Sequence, residues 1–446
     1  MTSTLGTVAH TSSGDNTTEI HRARATLSPA LKQATPVVVD HATGSWIHGT
    51  DGRSYLDFTT GIGVTSTGHC HPRVVAAAQE QCGKIIHAQY TTVMHQPLLE
   101  LTDALGEVLP EGIDSVFYAN SGSEAVEASI RLARMATGRP NIVVFQGGFH
   151  GRTVAAASLT TAGTRFSAGF SPLMSGVHMA PFPYAYRYGM DTDTAVDFAL
   201  RELDYLFASR VAPNDTAAML IEPVLGDGGY LPTPPAFLAG LRERADRHGI
   251  VLIVDEVQSG VGRTGRFWGH EFCDGLVPDI LITAKGIASG FPISAIAAPT
   301  ELMAKAWPGS QGGTYGGNAV AAAAGVATLA VIAEENLVDN ARERGDQLLA
   351  GLATLAERVP AIGDVRGQGL MAGIEFIDPD ASGSVPTANA AAAAKVQQAC
   401  IDQDLLTLTC GPLGNVVRLI PALVVTADEI DSGLARFGAA VDAVLG

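Results

Sequence analysis

Cysteine is scarce in this 446-residue sequence, and its spacing argues against two common kinds of protein. The five cysteines form no Cys-x-x-Cys pair and are odd in number. A disulfide framework normally has an even number at regular spacings, so reduced thiols in a cytoplasmic protein are expected. Gly-x-Ser-x-Gly, His-Glu-x-x-His and Cys/His clusters with metal-ligand spacing are also missing, so neither a serine-hydrolase triad nor a metal site is predicted.

Positive charge is also in short supply. Lys and Arg number 28 against 45 Asp and Glu, which gives a formal net charge of −17. An acidic surface repels nucleic-acid phosphates and anionic lipids, so neither a nucleic acid nor a membrane is an expected partner. Residues 1–16 lack a basic stretch followed by an apolar core, which predicts no signal peptide. The longest apolar run, 319–333, is mostly alanine and predicts a buried helix.

The chain nevertheless has enough apolar residues for a large core. Hydrophobic residues make up 46% of the positions, and the 50 glycines and 23 prolines are spread along the chain. Because this length exceeds one typical domain, two lobes are expected. We predict an N-terminal arm with part of the small domain at 1–60, a large domain at 61–320 and a C-terminal small domain at 321–446.

Short apolar runs alternate with helical patterns through the predicted large domain. Nearly all-apolar strands that alternate with helices are typical of an α/β fold, with a mostly parallel sheet covered by helices on both faces. The predicted strands are 115–119, 141–145, 217–221, 251–255, 279–283 and 294–298, and the helices between them include 123–136 and 236–248.

The two ends of the chain differ from this pattern. Residues 1 to about 30 are rich in Thr and Ser and are expected to form a loose arm. A Gly-Thr-Asp-Gly turn at 49–52 predicts a hairpin between residues 37 and 58. After residue 318 we predict a smaller α+β lobe, which the N-terminal segment joins. Its elements are helices at 318–335 and 339–358, strands at 371–376 and 416–419, and a final helix from residue 427.

Two apolar strands end next to a charged side chain. The run 251–254 leads into Asp255, and the run 280–283 is followed by Ala284 and Lys285. Open α/β sheets bind ligands at this carboxyl edge. The pair suits a pyridine ring that bears an aldehyde, because the carboxylate holds the ring nitrogen protonated while the amine forms an imine. A surface lysine and a helix-capping aspartate would show the same spacing, so this pair alone does not establish a cofactor site.

Two other segments offer groups for an anion or a planar ring. Residues 120–125 follow a strand and open a helix, where free backbone N–H groups favour an anion, although a simple N-cap would need no ligand. Phe149 follows a Gly-Gly turn and could stack on a planar ring, and the planar guanidinium of Arg152 could bind a carboxylate. Alternatively, Phe149 packs in the core and Arg152 is an ordinary surface residue. The Gly-x-Gly-x-x-Gly pattern at 260–265 leads into no helix and therefore predicts no dinucleotide site.

Together these segments resemble class III aminotransferases, pyridoxal-5′-phosphate (PLP) enzymes of fold type I, and in particular their 4-aminobutyrate branch. The resemblance runs from about residue 49 to residue 427. It implies a large domain with a mostly parallel sheet covered by helices, plus a smaller α+β domain. The matching segments are GIGV (61–64) with GHCHP (68–72), NSGSEAVE (120–127), FHGR (149–152), IEPVLGDGGY (221–230), DEVQSGVGRTG (255–265), Lys285, GTYGGN (313–318) and Arg418.

The resemblance also implies a role for residues within these motifs. Lys285 would hold PLP as a Schiff base and move the substrate proton, while Asp255 would pair with the pyridine nitrogen. Further cofactor contacts would come from Gly122 and Ser123 at the phosphate, Phe149 and Val257 at the ring faces with His150 nearby, Gln258 at the ring hydroxyl, and Thr314 at the phosphate of the neighbouring subunit. Substrate contacts would come from Ile62, Arg152 at the distal carboxylate, Glu222, Asp227, and Arg418 at the α-carboxylate.

The implied reaction is a ping-pong amino transfer from a small ω- or α-amino donor to 2-oxoglutarate or pyruvate. Arg152 and Arg418 favour 2-oxoglutarate, and the role of Thr314 implies a homodimer with shared sites, with a tetramer as a further option. Leu225 and Asp227 depart from the family's usual Gln and Glu. In 4-aminobutyrate enzymes that Glu swings to neutralise the carboxylate-binding Arg, so the shorter Asp227 leaves the donor open.

Two alternatives to amino transfer remain. A PLP-dependent racemase or epimerase on the same scaffold is motivated by the altered stretch at 221–230. A binding or structural protein that keeps the fold without activity is the other, and the intact Lys285 and Asp255 argue against it.

Overall fold

The computed structural model describes residues 26–383 and 385–446. Most of the predicted N-terminal arm therefore lies outside the described residues, and its last part, 26–30, is exposed.

A seven-stranded sheet lies at the centre of the fold. Neighbouring strands are parallel except at Ser294–Ala298, which runs antiparallel to both of its neighbours. This confirms the mostly parallel sheet, with predicted strand ends that differ by one residue at most. In spatial order the strands are Ser115–Ala119, Ser294–Ala298, Ile280–Thr283, Val251–Asp255, Thr216–Ile221, Asn141–Phe145 and Val177–Ala180.

The strands of this sheet are buried on both faces because their apolar side chains alternate between two cores. In the strand Val251–Asp255, Leu252 and Val254 pack into one core, while Val251 and Ile253 pack into the other. Helices cover both faces, as predicted. The helices of this part of the chain are Pro72–Cys82, Gln96–Gly106, Gly122–Thr137, Val154–Leu159, Ala185–Tyr188, Thr192–Ser209, Pro235–His248 and Thr300–Met303. A single turn, Thr60–Gly63, has a positive φ at each of its four residues.

The C-terminal part of the chain contains a second, antiparallel sheet and four helices. The predicted strands at 371–376 and 416–419 have the observed bounds. In spatial order this sheet contains Ile362–Gln368, Met371–Phe376, Val416–Leu419 and Leu408–Cys410. The helices are Ala319–Glu334, Leu337–Arg358, Ala390–Asp402 and Ala427–Leu445.

The N-terminal hairpin pairs with the C-terminal part of the chain. Its strands Val39–Thr43, Trp46–Gly49 and Ser54–Asp57 form a sheet with Leu405–Leu406, in which Leu56 lies opposite Leu405. The hairpin turn lies where the Gly-Thr-Asp-Gly motif predicted it. A separate two-stranded ribbon, Val224–Leu225 with Leu231–Pro232, follows the central strand Thr216–Ile221.

Helix Ala319–Glu334 contains the longest apolar run and is mostly buried, as predicted. Among the described residues no single helix is long and apolar enough to cross a membrane. This helix and Leu337–Arg358 meet the length and composition requirement only when taken together, and they are bent by 65° at the break between them.

Candidate active site

Asp255 and Lys285 lie at the same edge of the central sheet. Asp255 is the last residue of its strand and pairs in register with Ile282 of the neighbouring parallel strand, which ends two residues before Lys285. Both side chains line a cavity of about 320 Å³, within the range of roughly 300–1,000 Å³ that is usual for small-molecule sites. The structure thus brings together the two charges that the strand patterns placed at this edge.

The carboxylate of Asp255 is buried and held from two sides. Its Oδ2 lies 2.8 Å from Nδ1 of the buried His150 and forms a hydrogen bond with it. Its Oδ1 accepts from the backbone N–H of Val257 at 3.1 Å. These bonds orient the carboxylate and offset the cost of burying it.

Lys285 has a reactive amine because of its surroundings. Burial lowers the pKa of Lys285 to about 8; the carboxylate of Asp227 opposes this shift, and the nearby Arg418 adds to it. With the residues that the structure describes, its Nζ makes no hydrogen bond or ion pair. A lysine with a pKa near neutrality carries an appreciable fraction of free amine, which is the form that attacks an aldehyde.

The helix that begins at Gly122 has both an N-cap and free donors. Ser121 is the N-cap: its Oγ accepts from the N–H of Glu124 at 3.4 Å, and Glu124 accepts from the N–H of Ser121 at 2.9 Å. The first helical residues, Gly122 and Ser123, have no intrahelical acceptor for their N–H groups. Both line the cavity, so the capping box and an anion-binding helix start coexist here.

The cavity wall between these groups is partly aromatic. Phe149 lines it, and its ring packs edge-on against Phe166 at 5.0 Å between centroids. Val257 and Gln258 line it as well, and Gln258 Oε1 is a buried acceptor without a hydrogen-bond partner among the described residues. A buried orphan acceptor indicates a missing donor, such as a ligand hydroxyl.

Glu222 is a second buried carboxylate in the cavity wall. It accepts from the N–H of Phe149 at 2.7 Å and from the N–H of Gly226 at 2.9 Å. Burial raises the pKa of Glu222 to about 7; the adjacent His150 opposes this rise, while the charge of Asp255 adds to it. Glu222 therefore holds the backbone at Phe149 and at Gly226 next to the cavity. With a pKa of about 7, it is partly protonated near neutral pH.

Arg418 reaches the site from the C-terminal sheet. Its side chain is 5% exposed, and its Nη2 lies 3.6 Å from Oδ1 of Asp227, which lines the cavity. Nε and Nη1 of Arg418 are buried without hydrogen-bond partners in the described part of the chain. A buried guanidinium with unused donors suits a substrate carboxylate. Asp227, although shorter than Glu, still reaches this arginine.

Besides Arg418, which forms an ion pair with the lining residue Asp227, three of the predicted site residues are not among those that line the cavity. Ile62 is 43% exposed. Arg152 is exposed, with its guanidinium 4.9 Å from the Phe166 ring and its backbone N–H bonded to Ser123 Oγ. Thr314 is exposed. Their expected roles at the substrate and at a neighbouring subunit stay predictions.

Several residues at the site were missed, among them the segment 290–293, which lines the cavity, and Arg165. Arg165 Nη2 lies 4.0 Å from Oδ1 of Asp227. It belongs to the short helical turn Thr164–Phe166, outside every motif noted in the sequence, so no local pattern indicated it.

The residues at the cavity fit PLP. The amine of Lys285 suits the aldehyde, the carboxylate of Asp255 suits a protonated ring nitrogen, and the orphan Oε1 of Gln258 suits the ring hydroxyl. The N–H groups of Gly122 and Ser123 suit the phosphate.

Comparison with known proteins agrees with this fit. The family model "Aminotransferase class-III" matches residues 28–441. The 5-aminovalerate aminotransferase DavT of Pseudomonas putida is 38% identical, over 94% of this chain and 97% of its own. The 4-aminobutyrate aminotransferase GabT of Escherichia coli K12 is 38% identical, over 90% and 92%.

Solved structures of transaminases are also similar to this chain over most of its length. A PLP-bound amine transaminase from an uncultivated Pseudomonas species has a TM-score of 0.87 at 29% identity, covering 94% of this chain and 98% of its own. The ornithine aminotransferase of Toxoplasma gondii ME49 has a TM-score of 0.84 at 28% identity, covering 97% and 96%.

Proposed function

The chain belongs to the class III aminotransferase family, and from this premise we propose that it moves the amino group of a linear ω-amino acid to 2-oxoglutarate. PLP-dependent amino transfer is the activity of the family. The choice of substrates is supported by one observation above all, the ion pair of Arg418 with Asp227 beside Lys285. No observation favours the racemase alternative.

The Arg418–Asp227 pair supports this choice because the two substrates differ at the reacting carbon. 2-Oxoglutarate has a carboxylate on that carbon, and Arg418 is the buried cation available to bind it. An ω-amino acid such as 5-aminovalerate or 4-aminobutyrate has none, so Asp227 neutralises Arg418 while that donor is bound. An unpaired buried charge would otherwise cost several kcal/mol. Two similar proteins are named for such donors.

Each residue of the cavity has a separate role in this reaction. Lys285 would hold the cofactor through its Nζ and would take the proton from the substrate carbon. Asp255 would hold the proton on the ring nitrogen, and His150 orients that carboxylate. Gly122 and Ser123 would bind the phosphate, and Gln258 would bind the ring hydroxyl. PLP, when bound, would supply an electron sink for the negative charge left on the substrate carbon.

Substrate contacts follow from the same arrangement. Arg418 binds the carboxylate next to the reacting carbon, and Arg152 is assigned to the distal carboxylate. Glu222 would position Phe149 for the cofactor ring, because its carboxylate accepts a hydrogen bond from the backbone N–H of Phe149.

A homodimer in the cytoplasm is part of this proposal. Exposed Thr314 lies next to a patch of exposed apolar side chains, here called the Thr314 patch: Ile86, Val93, Met94 and Tyr315. The rings of His87 and Tyr315 are 5.3 Å apart, and Asn318 donates to the carbonyl of Ile86 at 3.0 Å, so these two segments adjoin. Large exposed apolar patches mark association surfaces.

The five free cysteines support a reducing compartment.

The test is to measure each half-reaction separately by absorbance of the holoenzyme. 5-Aminovalerate or 4-aminobutyrate alone should convert the cofactor to its aminated form, and 2-oxoglutarate should restore the starting spectrum. Lys285→Ala should abolish both conversions because it removes the group that moves the proton, whereas Lys395→Ala, at an exposed helical position, should behave like wild type. Conversion by α-amino acids but by no ω-amino acid would reject the proposed donor.

A further inference from the structure

Asp227 lies between two arginines that differ in environment. Its Oδ1 is 3.6 Å from Nη2 of Arg418 and 4.0 Å from Nη2 of Arg165. Both distances exceed that of a hydrogen bond, so neither arginine holds the carboxylate closely. The side chain of Arg418 is 5% exposed, whereas that of Arg165 is 47% exposed. One carboxylate is thus within ion-pair reach of a buried and an exposed guanidinium.

The position of Arg165 depends on the same loops that form the cavity. Its Nη1 donates to the carbonyl of Gly411 at 3.4 Å, and the N–H of Gly411 donates to the carbonyl of Asp227 at 2.8 Å. Its guanidinium lies 4.5 Å from the ring of Phe166, which packs against the cavity residue Phe149. Arg165 is therefore held near Asp227 by backbone and ring contacts as well as by charge.

The charge balance around Arg418 changes when a substrate carboxylate arrives. A carboxylate bound to Arg418 would stand next to that of Asp227, and two like charges at such a distance repel. Asp227 then has to leave Arg418, and a free carboxylate in a largely buried loop needs another partner. Arg165 is the other arginine within ion-pair distance of Asp227 in the described part of the chain.

We propose that Arg165 is a positioning residue that receives the Asp227 carboxylate whenever a substrate carboxylate occupies Arg418. This inference rests on the proposed function and deepens it. Arg165 then promotes reaction of substrates with a carboxylate on the reacting carbon, such as 2-oxoglutarate and glutamate. It has no such effect on ω-amino acids, for which Asp227 stays with Arg418.

The test compares Arg165→Gln, Arg165→Lys and wild-type holoenzyme in the two half-reactions. Arg165→Gln should raise the KM for 2-oxoglutarate by about threefold, the size expected for loss of one exposed ion pair. The half-reaction with 5-aminovalerate should be unchanged, and Arg165→Lys should recover most of the 2-oxoglutarate effect because it keeps the charge. Arg201→Gln is the matched control, since Arg201 is 70% exposed and pairs with Asp197 on a helix that does not line the cavity.

Several outcomes would overturn the inference. Equal slowing of both half-reactions by Arg165→Gln, with no recovery in Arg165→Lys, would mean that the residue only supports Phe166 and Phe149. A loss confined to 5-aminovalerate would mean that Arg165 binds the carboxylate of the donor directly. If wild-type enzyme carries out both half-reactions while Arg165→Gln matches it in each, the inference alone fails. If wild-type enzyme carries out neither, the proposed function fails first.

Discussion

At the scale of single residues, burial gives two side chains of the cavity ionisation behaviour that their residue types do not have in water. It lowers the pKa of Lys285 to about 8 and raises the pKa of Glu222 to about 7. Both shifts have the sign that desolvation produces, because it penalises the charged form of either group. The result is an amine that is partly free, and a carboxyl that is partly protonated, near neutral pH.

The lowered pKa of Lys285 predicts how recombination with PLP depends on pH. Only the unprotonated amine attacks the aldehyde, so the rate should rise with pH and be half-maximal near pH 8 rather than near the usual value of about 10.4. The measurement is the absorbance change on mixing cofactor-free protein with PLP between about pH 6 and about pH 10.

The variant Arg418→Gln should shift this midpoint upward, because the positive charge of Arg418 contributes to lowering the pKa of Lys285. A wild-type midpoint close to that of an exposed lysine would contradict the assignment of a desolvated amine.

At the scale of elements, the site depends on where strands end and a helix begins. Parallel strands end at one edge of the sheet, which is why Asp255 and Lys285 meet there. The start of helix Gly122–Thr137 faces the same cavity, and its first residue packs closely: an added Cβ at Gly122 would lie 3.0 Å from Cγ1 of Val257. A side chain at this position would therefore push on a residue that lines the cavity.

This contact predicts the effect of Gly122→Ala. The methyl group should displace Val257 toward the cofactor and weaken PLP binding by about tenfold, the cost of mild overpacking. The affinity can be measured by titrating cofactor-free protein with PLP. Gly106→Ala is the matched control, because Gly106 ends helix Gln96–Gly106 and a Cβ there meets no atom within 4 Å.

Gly106→Ala should bind PLP like wild type and unfold at the same or a slightly higher temperature, since Ala favours helix over Gly. Unchanged PLP affinity in Gly122→Ala would show that the helix start tolerates the extra volume and does not approach the cofactor closely.

At the scale of the whole molecule, the residues assigned to the substrate carboxylate and to the cofactor, Arg418 and Lys285, are positioned by different sheets. Lys285 follows a strand of the central sheet, whereas Arg418 lies within a strand of the C-terminal sheet. The cavity between them is completed by Asp227, so substrate binding depends on how the two parts of the chain pack. The proposed dimer would add a contact between subunits, because Thr314 is assigned to the phosphate in the neighbouring subunit's site.

The Thr314 patch predicts that association and activity are linked. Met94→Glu places a charge among exposed apolar side chains. It should convert the proposed dimer to monomers and weaken PLP binding, because the phosphate contact assigned to Thr314 of the other subunit would be lost. Size-exclusion chromatography with light scattering and PLP titration measure the two effects.

Tyr205→Glu is the control for this variant, since Tyr205 is 66% exposed on helix Thr192–Ser209, away from the patch. It should leave mass and affinity unchanged. A Met94→Glu protein that remains dimeric and binds PLP normally would place the interface elsewhere.

Some elements were predictable from the sequence, and others were not, for a physical reason. Val251–Asp255 and its neighbours are buried on both faces, so they appear as uninterrupted apolar runs. Val177–Ala180 was missed because it is a short edge strand that keeps a histidine and is partly exposed. Ile362–Gln368 was missed because its polar and glycine residues interrupt the pattern, and its pairing with Met371–Phe376 decides its structure.

The sequence by itself determined the family, the chain positions of six of the seven central strands, and the positions of Asp255 and Lys285 at or just after the ends of two of them. These features follow from local runs of residues, and the carboxyl edge of a parallel sheet brings strand ends together without further information. The resemblance already implied that Asp227 pairs with Arg418, whereas only the tertiary structure showed Arg165 within reach of the same carboxylate. Arg165 lies in a helical turn far along the chain from both, so its distance to Asp227 depends on packing between distant parts of the chain and leaves no periodicity or motif behind.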